Sequence, residues 1–399
     1  MGDRIPRVFL WGHRCEIAKP ADSDYTGLRR GARGRGRLDH GRSTLTFPLR
    51  RNPTLTLDTD RVNSNDHLCL GIDVGGTDVK IGLVDDQGVL LYRHRTSTRE
   101  LGAPDSVFQY AIEHAHAQAD ALGFDPLQIA AVGLAVPGVL DRDTYCLREV
   151  VNLPDGWKDV PLLSKLERIS QLPSVVVNDA NAAAYAEHDH RQLGVRSLAL
   201  VTLGTGIGCG VITSGNPYGG DHGSAGELGH IAIDFSDDAL PCTCGSQGHL
   251  ESYAGAAGVV RRANQAARAA GSTAPKTPRK IAEQAEQGDE LCLEVIRQTG
   301  RYVGQAVGQL CQVLDPEVVL IGGAMTFGGH ASAVGRRFLE TIQQTVVQTT
   351  LVQVGGNVIV DYASLGNDAG KLGAASLARR RMRSMPVVQS SSRNLAKTE

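Results

Sequence analysis

Two strand–glycine turn–strand units stand about 130 residues apart in this chain. A chain that repeats such a unit is constrained to two halves of similar build that face each other. The first unit runs from Leu68 to Val74, turns at Gly75-Gly76-Thr77 and continues as Val79 to Val84. The second runs from Leu198 to Leu203, turns through Gly204-Thr205-Gly206-Ile207-Gly208 and continues as Cys209 to Ile212. Both leading runs are short, apolar and bounded by glycine, the pattern of a buried strand. Asp85-Asp86-Gln87-Gly88 then predicts a turn and Val89 to Tyr92 a third strand, which makes an antiparallel meander. An amphipathic helix is expected over 105–122, with Val107, Ala111, His114 and Ala115 near one face. Strands are expected at Ile129–Val136, ending at Pro137-Gly138, and at Ser174–Val177, which runs into an alanine-rich helix at Asn178-Asp179-Ala180-Asn181. The last third reads as helical around Ile281 to Leu314. A strand follows at Val318–Ile321, capped by Gly322-Gly323-Ala324, and a final helix at Gly370–Arg381.

The chain has 399 residues, enough for two or three domains. Its 41% hydrophobic and 21% charged residues are those of a soluble globular protein. No apolar run approaches the roughly 20 residues of a membrane span, and Val8-Phe9-Leu10-Trp11 is too short for a signal peptide. A cytoplasmic protein is therefore expected. Of the eight cysteines, Cys242 and Cys244 alone are close in sequence, and the rest show no disulfide-like spacing. Residues 1–66 hold 12 Arg and one Lys against eight acids, a charge of +5, so the remainder carries −2 − 5 = −7. An acidic body argues against a nucleic-acid-binding core. The Gly/Arg-rich stretch within 1–66 has no apolar periodicity. A basic arm for RNA, membrane or a partner is one reading, but 1–66 is expected to be a disordered basic leader, and 386–399 a disordered tail. Three segments remain between them: a smaller lobe over 67–179, a larger one over 180–367, and a terminal helix over about 368–384 that returns to the first.

Asp73 ends a strand beside Gly75, Gly76 and Thr77, where the backbone can approach phosphates closely and donate N–H groups. Asp73 is placed to hold Mg²⁺ through water. Alone, this turn reads as an ordinary hairpin. A second loop at Gly204-Thr205-Gly206 makes a clamp for one polyphosphate plausible chemistry. It is not a Walker A loop, because no Gly-Lys-Ser/Thr is present. Asp179 opens a helix just past a buried strand. There it is either a helix cap or, beside two phosphate loops, a base that orients a hydroxyl and accepts its proton. The segments Gly226–His230 and Cys242–Glu251 together hold two thiols, two imidazoles and two carboxylates. His230, Cys242, Cys244 and His249 suit a tetrahedral structural Zn²⁺, which would shape a pocket. Glu227, Glu251 and Asn152 are either hydrogen-bond partners for sugar hydroxyls or surface residues. Asp78 and Lys80 are expected on an exposed strand face without a catalytic role. His188 and His190 are expected to be solvated, and Asp221 and His222 read as loop residues.

These motifs together resemble the ROK family of bacterial sugar kinases and sugar-responsive repressors. Asp73-Val74-Gly75-Gly76-Thr77, Pro137-Gly138, Asn152-Leu153-Pro154 with Trp157, Asn178-Asp179-Ala180-Asn181, the Gly204 loop, Ala225 to His230 and Cys242 to Glu251 carry the resemblance over about 68–378. It implies an α/β fold of the actin-like ATPase (ribonuclease H-like) type, two lobes with a central cleft. It implies ATP and Mg²⁺, with Asp73, Gly75, Gly76, Thr77, Gly204, Thr205 and Gly206 on the phosphates and Gly322 and Gly323 near adenosine. It implies Asp179 as catalytic base, and Asn152, Asn178, Asp179, Glu227, His230 and Glu251 as sugar ligands. His230 would hold zinc through one ring nitrogen and face the sugar with the other. The resemblance also implies a homo-oligomer, dimer or tetramer; the acidic body and the lack of a long apolar run are what lead us to expect no nucleic-acid or membrane partner. Two departures stand out. The family's third cysteine position is His249 here, and 1–66 lacks the paired amphipathic helices of a winged helix-turn-helix. The leading expectation is an ATP-dependent hexose kinase, most simply a glucokinase. Kinases for fructose, mannose, allose or an N-acetylated hexosamine, polyphosphate as donor, and a sugar-sensing regulator remain alternatives.

Overall fold

The computed structural model describes residues 67–385 apart from 151, 192, 193 and 274. The expectations for 1–66 and 386–399 lie outside the described residues. The first half comprises β1 (Leu68–Val74), β2 (Asp78–Val84), β3 (Leu90–Ser97), α1 (Thr98–Leu101), α2 (Pro104–Ala121), β4 (Ile129–Val136), the hairpin β5 (Val139–Leu140) and β6 (Leu147–Glu149), α3 (Leu162–Ser170) and β7 (Ser174–Asn178). The second comprises α4 (Asp179–His190), β8 (Leu198–Leu203), β9 (Ile207–Thr213), β10 (Asn216–Pro217), α5 (Leu250–Ala254), α6 (Ala256–Ala269), α7 (Pro278–Glu286), α8 (Glu290–Leu314), β11 (Val318–Gly322), α9 (Ala333–Thr349), α10 (Val352–Gly355) and β12 (Ile359–Tyr362). Helix α11 (Ala369–Ser384) closes the described chain.

The duplication expected from the two glycine turns is present in the topology. One sheet has the order β3-β2-β1-β4-β7 and the other β10-β9-β8-β11-β12. In each, the strand before the glycine turn pairs antiparallel with the strand after it and parallel with the next strand along. This is the actin-like arrangement of two α/β lobes. Among the described residues, no helix is long and apolar enough to cross a membrane.

Helices α4 and α11 lie between the sheets because glycine removes the side chains that would hold them away. A Cβ on Gly71 of β1 would stand 2.0 Å from the Lys371 carbonyl oxygen, and one on Gly133 of β4 1.9 Å from that of Ala374. Gly373 lets α11 touch the Ala182 carbonyl of α4 in the same way. On its other side α4 meets β9 at Gly210, against the Ala180 carbonyl. Backbones packed this closely exclude water and lock the helix pair to both sheets. The N-terminal end of α4 is thereby held where the lobes meet.

Three local expectations need correction. The helical run from Ile281 to Leu314 is two helices, because Gly288 takes φ 90° and Asp289 starts α8 as its cap. The third strand runs on to Ser97, pairing with β2 as far as Asp78. His188 is half-buried rather than solvated. Its Nε2 bonds the Val195 carbonyl at 2.8 Å, and its ring stacks on Tyr185. His190, one turn end further, is exposed.

Candidate active site

The cleft between the lobes encloses about 510 Å³. It brings Asp73, Gly75, Gly76, Asn152, Asn178, Asp179, Gly206, Glu227, His230 and Glu251 to one surface, although they span 179 positions of sequence (73 to 251). A continuation of this cleft is lined by Gly76, Thr77, Asn152 and Thr205, with Arg99 at its rim. Gly204 does not line either space; its N–H donates to the Gly206 carbonyl at 3.0 Å and shapes the loop. Gly322 and Gly323 also lie off the cleft wall. Gly323 has φ 88°, and a Cβ there would meet the Leu203 backbone, so this turn sits against the end of β8 just before the second loop.

The first loop is held from behind. Gly75 N–H donates to the Asp78 carbonyl at 2.8 Å, and the buried Thr98 hydroxyl donates to the Gly75 carbonyl at 2.6 Å. Asn152 lies against Gly76, where a Cβ would meet its carbonyl oxygen at 2.5 Å, and Asn152 itself takes a left-handed φ of 59°. In the second loop a Cβ on Gly206 would stand 2.6 Å from Glu251 Oε2, which accepts the Ile207 N–H at 2.9 Å. Glu251 is thus tied into the cleft wall and is not a loose surface residue.

Asn178 resolves the competition at the start of α4. Its Oδ1 accepts from Ala180 N (3.0 Å) and Asn181 N (3.2 Å), and its Nδ2 donates to the Gly138 carbonyl at 3.2 Å. Because Asn178 caps the helix, Asp179 is free for the cleft. One of its oxygens accepts the Ala180 N–H at 2.8 Å, and no hydrogen bond reaches the other among the described residues. Burial pushes the Asp179 carboxyl up to about 6, with the Asp73 charge adding to the rise and the Lys80 charge opposing it. A carboxylate with that value is largely ionised at neutral pH yet basic enough to take a proton.

Lys80 corrects the sequence reading. It is not on an exposed face: it lines the cleft, and its Nζ donates to Asp73 Oδ2 at 2.9 Å. The signal was available, because a hairpin centred on Gly76-Thr77 makes Asp73 and Lys80 cross-strand partners. Asp78, by contrast, is ion-paired with the exposed Arg95. The segment 366–370 was also missed. Gly366, Asn367, Ala369 and Gly370 form one wall, and a Cβ on Gly370 would stand 2.5 Å from Asp73 Oδ2. Asp221, read as a plain loop residue, pairs with Arg142 across the lobes at 2.9 Å.

Behind Glu227, one ligand atom from each of His230, Cys242, Cys244 and His249 lies within 4.8 Å of all the others. The His230 Nδ1–Cys242 Sγ distance is 3.7 Å and the His249 Nδ1–Cys244 Sγ distance 3.2 Å. The edge of a tetrahedral zinc site between nitrogen and sulfur is about 3.6 Å, so the donor set fits that ion. A tight turn sets the thiols, with Cys242 N–H donating to the Ser246 carbonyl at 2.7 Å. The Tyr253 hydroxyl braces the loop, donating to Asp234 at 2.6 Å and accepting the Leu240 N–H at 2.8 Å. The other nitrogen of His230, Nε2, is 4.0 Å from Glu227 Oε2 in the cleft. One imidazole therefore joins the thiol cluster to the cleft.

A family model described as "ROK family" matches residues 69–381. This chain belongs to the ROK family. Among curated relatives, a glucokinase of Halalkalibacterium halodurans is 32% identical over 344 residues, 80% of this chain and 98% of that protein. An N-acetylmannosamine kinase of Citrobacter koseri is 32% identical over 312 residues, covering 78% of this chain and 98% of its own. Among solved structures, a ROK family glucokinase from Streptomyces griseus in complex with glucose and AMPPNP superposes with a TM-score of 0.61 at 32% identity, over 78% of this chain and 99% of that one. The two-Cys, two-His donor set is chemically sound for zinc.

Proposed function

We propose that this ATP-dependent sugar kinase is a glucokinase, transferring the γ-phosphoryl group of MgATP to the 6-hydroxyl of glucose. The observation that carries the reading is the desolvated Asp179 carboxylate, held on a capped helix end inside a cleft flanked by both glycine loops. Asp179 takes the proton of the 6-hydroxyl as that oxygen bonds to phosphorus. The bond between the γ-phosphorus and its bridging oxygen breaks, and ADP leaves. Asn152, Asn178, Glu227, His230 and Glu251 orient the sugar. Gly75, Gly76, Thr77, Thr205 and Gly206 carry the phosphates, Gly204 shapes the second loop, and the turn at Gly322 and Gly323, seated against the end of β8, borders the adenosine. Mg²⁺ bound through Asp73 would supply charge neutralisation on the transferring phosphoryl group. Lys80 places a second positive charge at the same carboxylate. Most of the catalysis in such a site is positioning and electrostatics.

The test is a coupled ADP-release assay with MgATP over glucose, mannose, fructose, allose and the N-acetylated hexosamines. The highest kcat/KM on glucose is expected. A second reading, an N-acetylhexosamine kinase, is supported by the Citrobacter koseri relative at equal identity. It predicts the highest kcat/KM on an N-acetylated sugar instead. Binding without turnover under MgATP, with turnover under polyphosphate, would move the donor and leave the acceptor chemistry.

Zinc held by His230, Cys242, Cys244 and His249 would be structural, fixing the ring of His230 toward the sugar. Chelation, or the double variant Cys242→Ser/Cys244→Ser, is expected to lower Tm and to raise KM for the sugar more than it lowers kcat. Metal analysis of the untreated protein should return about one zinc per chain. An unchanged Tm together with an unchanged KM removes the metal from the account.

A further inference from the structure

A second cavity of about 440 Å³ lies behind the catalytic cleft and shares Asn178 and Gly223 with it as a common wall. It opens beside β7, the edge strand of the first sheet, whose outer backbone edge carries no strand. The turn between β5 and β6 covers it from one lobe, and the 217–223 loop from the other. Its floor holds Asn181, which is only 5% exposed. The Asn181 Oδ1 accepts the Val211 N–H at 2.8 Å, while its Nδ2 has no hydrogen-bond partner among the described residues and opens on the cavity. The amide donor faces the open cavity, where the oxygen of a ligand or of water can accept from it. Tyr145 and Tyr218 also line the cavity, and no hydrogen bond reaches the hydroxyl of either among the described residues.

The charges around the space decide the class of ligand. Asp141, Arg142, Asp221 and Arg381 sum to zero. Each is already paired: Arg142 with Asp221 at 2.9 Å, Arg381 with Glu167 at 3.3 Å, and Asp141 with Arg148 at 3.1 Å. A phosphate or carboxylate would have to break one of these pairs to find a counter-charge. A neutral ring with apolar faces and hydroxyl edges would not. The aliphatic walls of Leu140, Val176 and Leu377 suit the faces, and the amide and phenol groups suit the edges. We propose that this cavity is a second sugar site, binding a neutral polyhydroxylated ring separately from the catalytic cleft. Such an occupant would touch both lobes, so its binding biases lobe closure by whatever affinity difference it has between the open and closed forms. The inference goes beyond the catalytic reading and does not depend on it.

The test is a titration of the full chain, methyl-labelled at Ile, Leu and Val, with glucose and in parallel with glucose 6-phosphate. Ile207 reports the cleft, and Leu140, Val176 and Leu377 report the second cavity. With glucose, two saturable phases with different dissociation constants are expected, the second confined to the cavity methyls. The variant Arg142→Ala/Tyr218→Ala changes two exposed side chains. It should weaken the second phase by about tenfold or more and shift the Ile207 phase by no more than the coupling of the two sites through lobe closure transmits. Cavity methyls that stay silent, or that follow Ile207 in a single phase untouched by the double variant, would overturn the proposal. A response to glucose 6-phosphate but not glucose would overturn the neutral-ligand assignment. Cavity methyls that respond while Ile207 does not would uphold the second site and instead count against glucose in the cleft.

Discussion

Asp179→Ala should lower kcat by about 10²- to 10⁴-fold, the range a positioned general base supplies, while sugar affinity changes little. Asn178 accepts from the N–H groups of both Ala180 and Asn181 at the helix start, so the substitution, which removes only the second acceptor of the Ala180 N–H, leaves α4 capped. In wild type, kcat/KM should fall on the acid side with a midpoint near 6, the value to which burial and the Asp73 charge raise this carboxyl. Below that pH the protonated acid cannot accept the hydroxyl proton. The stability effect has the opposite sense. A carboxyl raised from 3.8 holds its proton more tightly in the folded state. Its contribution to stability is therefore complete below the unfolded value and lost as pH rises through about 6. Asp179→Ala should thus be at least as stable as wild type at pH 7, and a thermal melt beside the kinetics distinguishes loss of the base from misfolding. Full activity in a well-folded Asp179→Ala protein would remove this residue from the mechanism.

Glu187→Ala should destabilise the fold by about 3–5 kcal/mol, the cost of breaking a buried ion pair from one side. Glu187 is fully buried on α4. Its carboxylate accepts from Ser364 N (2.6 Å), Leu365 N (2.7 Å) and Ser364 Oγ (2.9 Å), and it is ion-paired with Arg191, whose Nε stands 2.9 Å away. Removing it strands two backbone N–H groups and a guanidinium whose side chain is only 16% exposed. Arg191 would keep its bond to the Tyr362 carbonyl at 2.7 Å but lose its counter-charge. Glu187→Gln keeps an acceptor and should cost clearly less. Denaturant unfolding reads both, as a lower midpoint at unchanged slope. These bonds fix the connection from β12 to α11, whose residues Gly366, Asn367 and Gly370 wall the cleft. A rise in KM for the sugar should therefore accompany the loss of stability. A midpoint within error of wild type would show that the network carries no net stabilisation.

The sequence alone determined the repeating units, most strand positions and the residues whose chemistry matters locally. Glycine turns, helix caps and short apolar runs act over a few residues, so Asp73, Asp179, the Gly204 loop and the Cys242–Glu251 segment could be picked out before any coordinates. Even Lys80 was within reach, because hairpin register is local. What the tertiary structure alone decided came from distant parts of the chain meeting. It assigned the cap to Asn178 and left Asp179 to the cleft, since Asn178 also reaches Gly138, 40 residues away. It raised Asp179 through burial and the Asp73 carboxylate, which no composition or period records. It brought Gly370 against Asp73 and Ser364 against Glu187, and it removed His188 from solvent by way of Val195 and Tyr185. Desolvation and long-range charge depend on which surfaces the fold presses together, and a linear pattern carries only the residues, not that encounter.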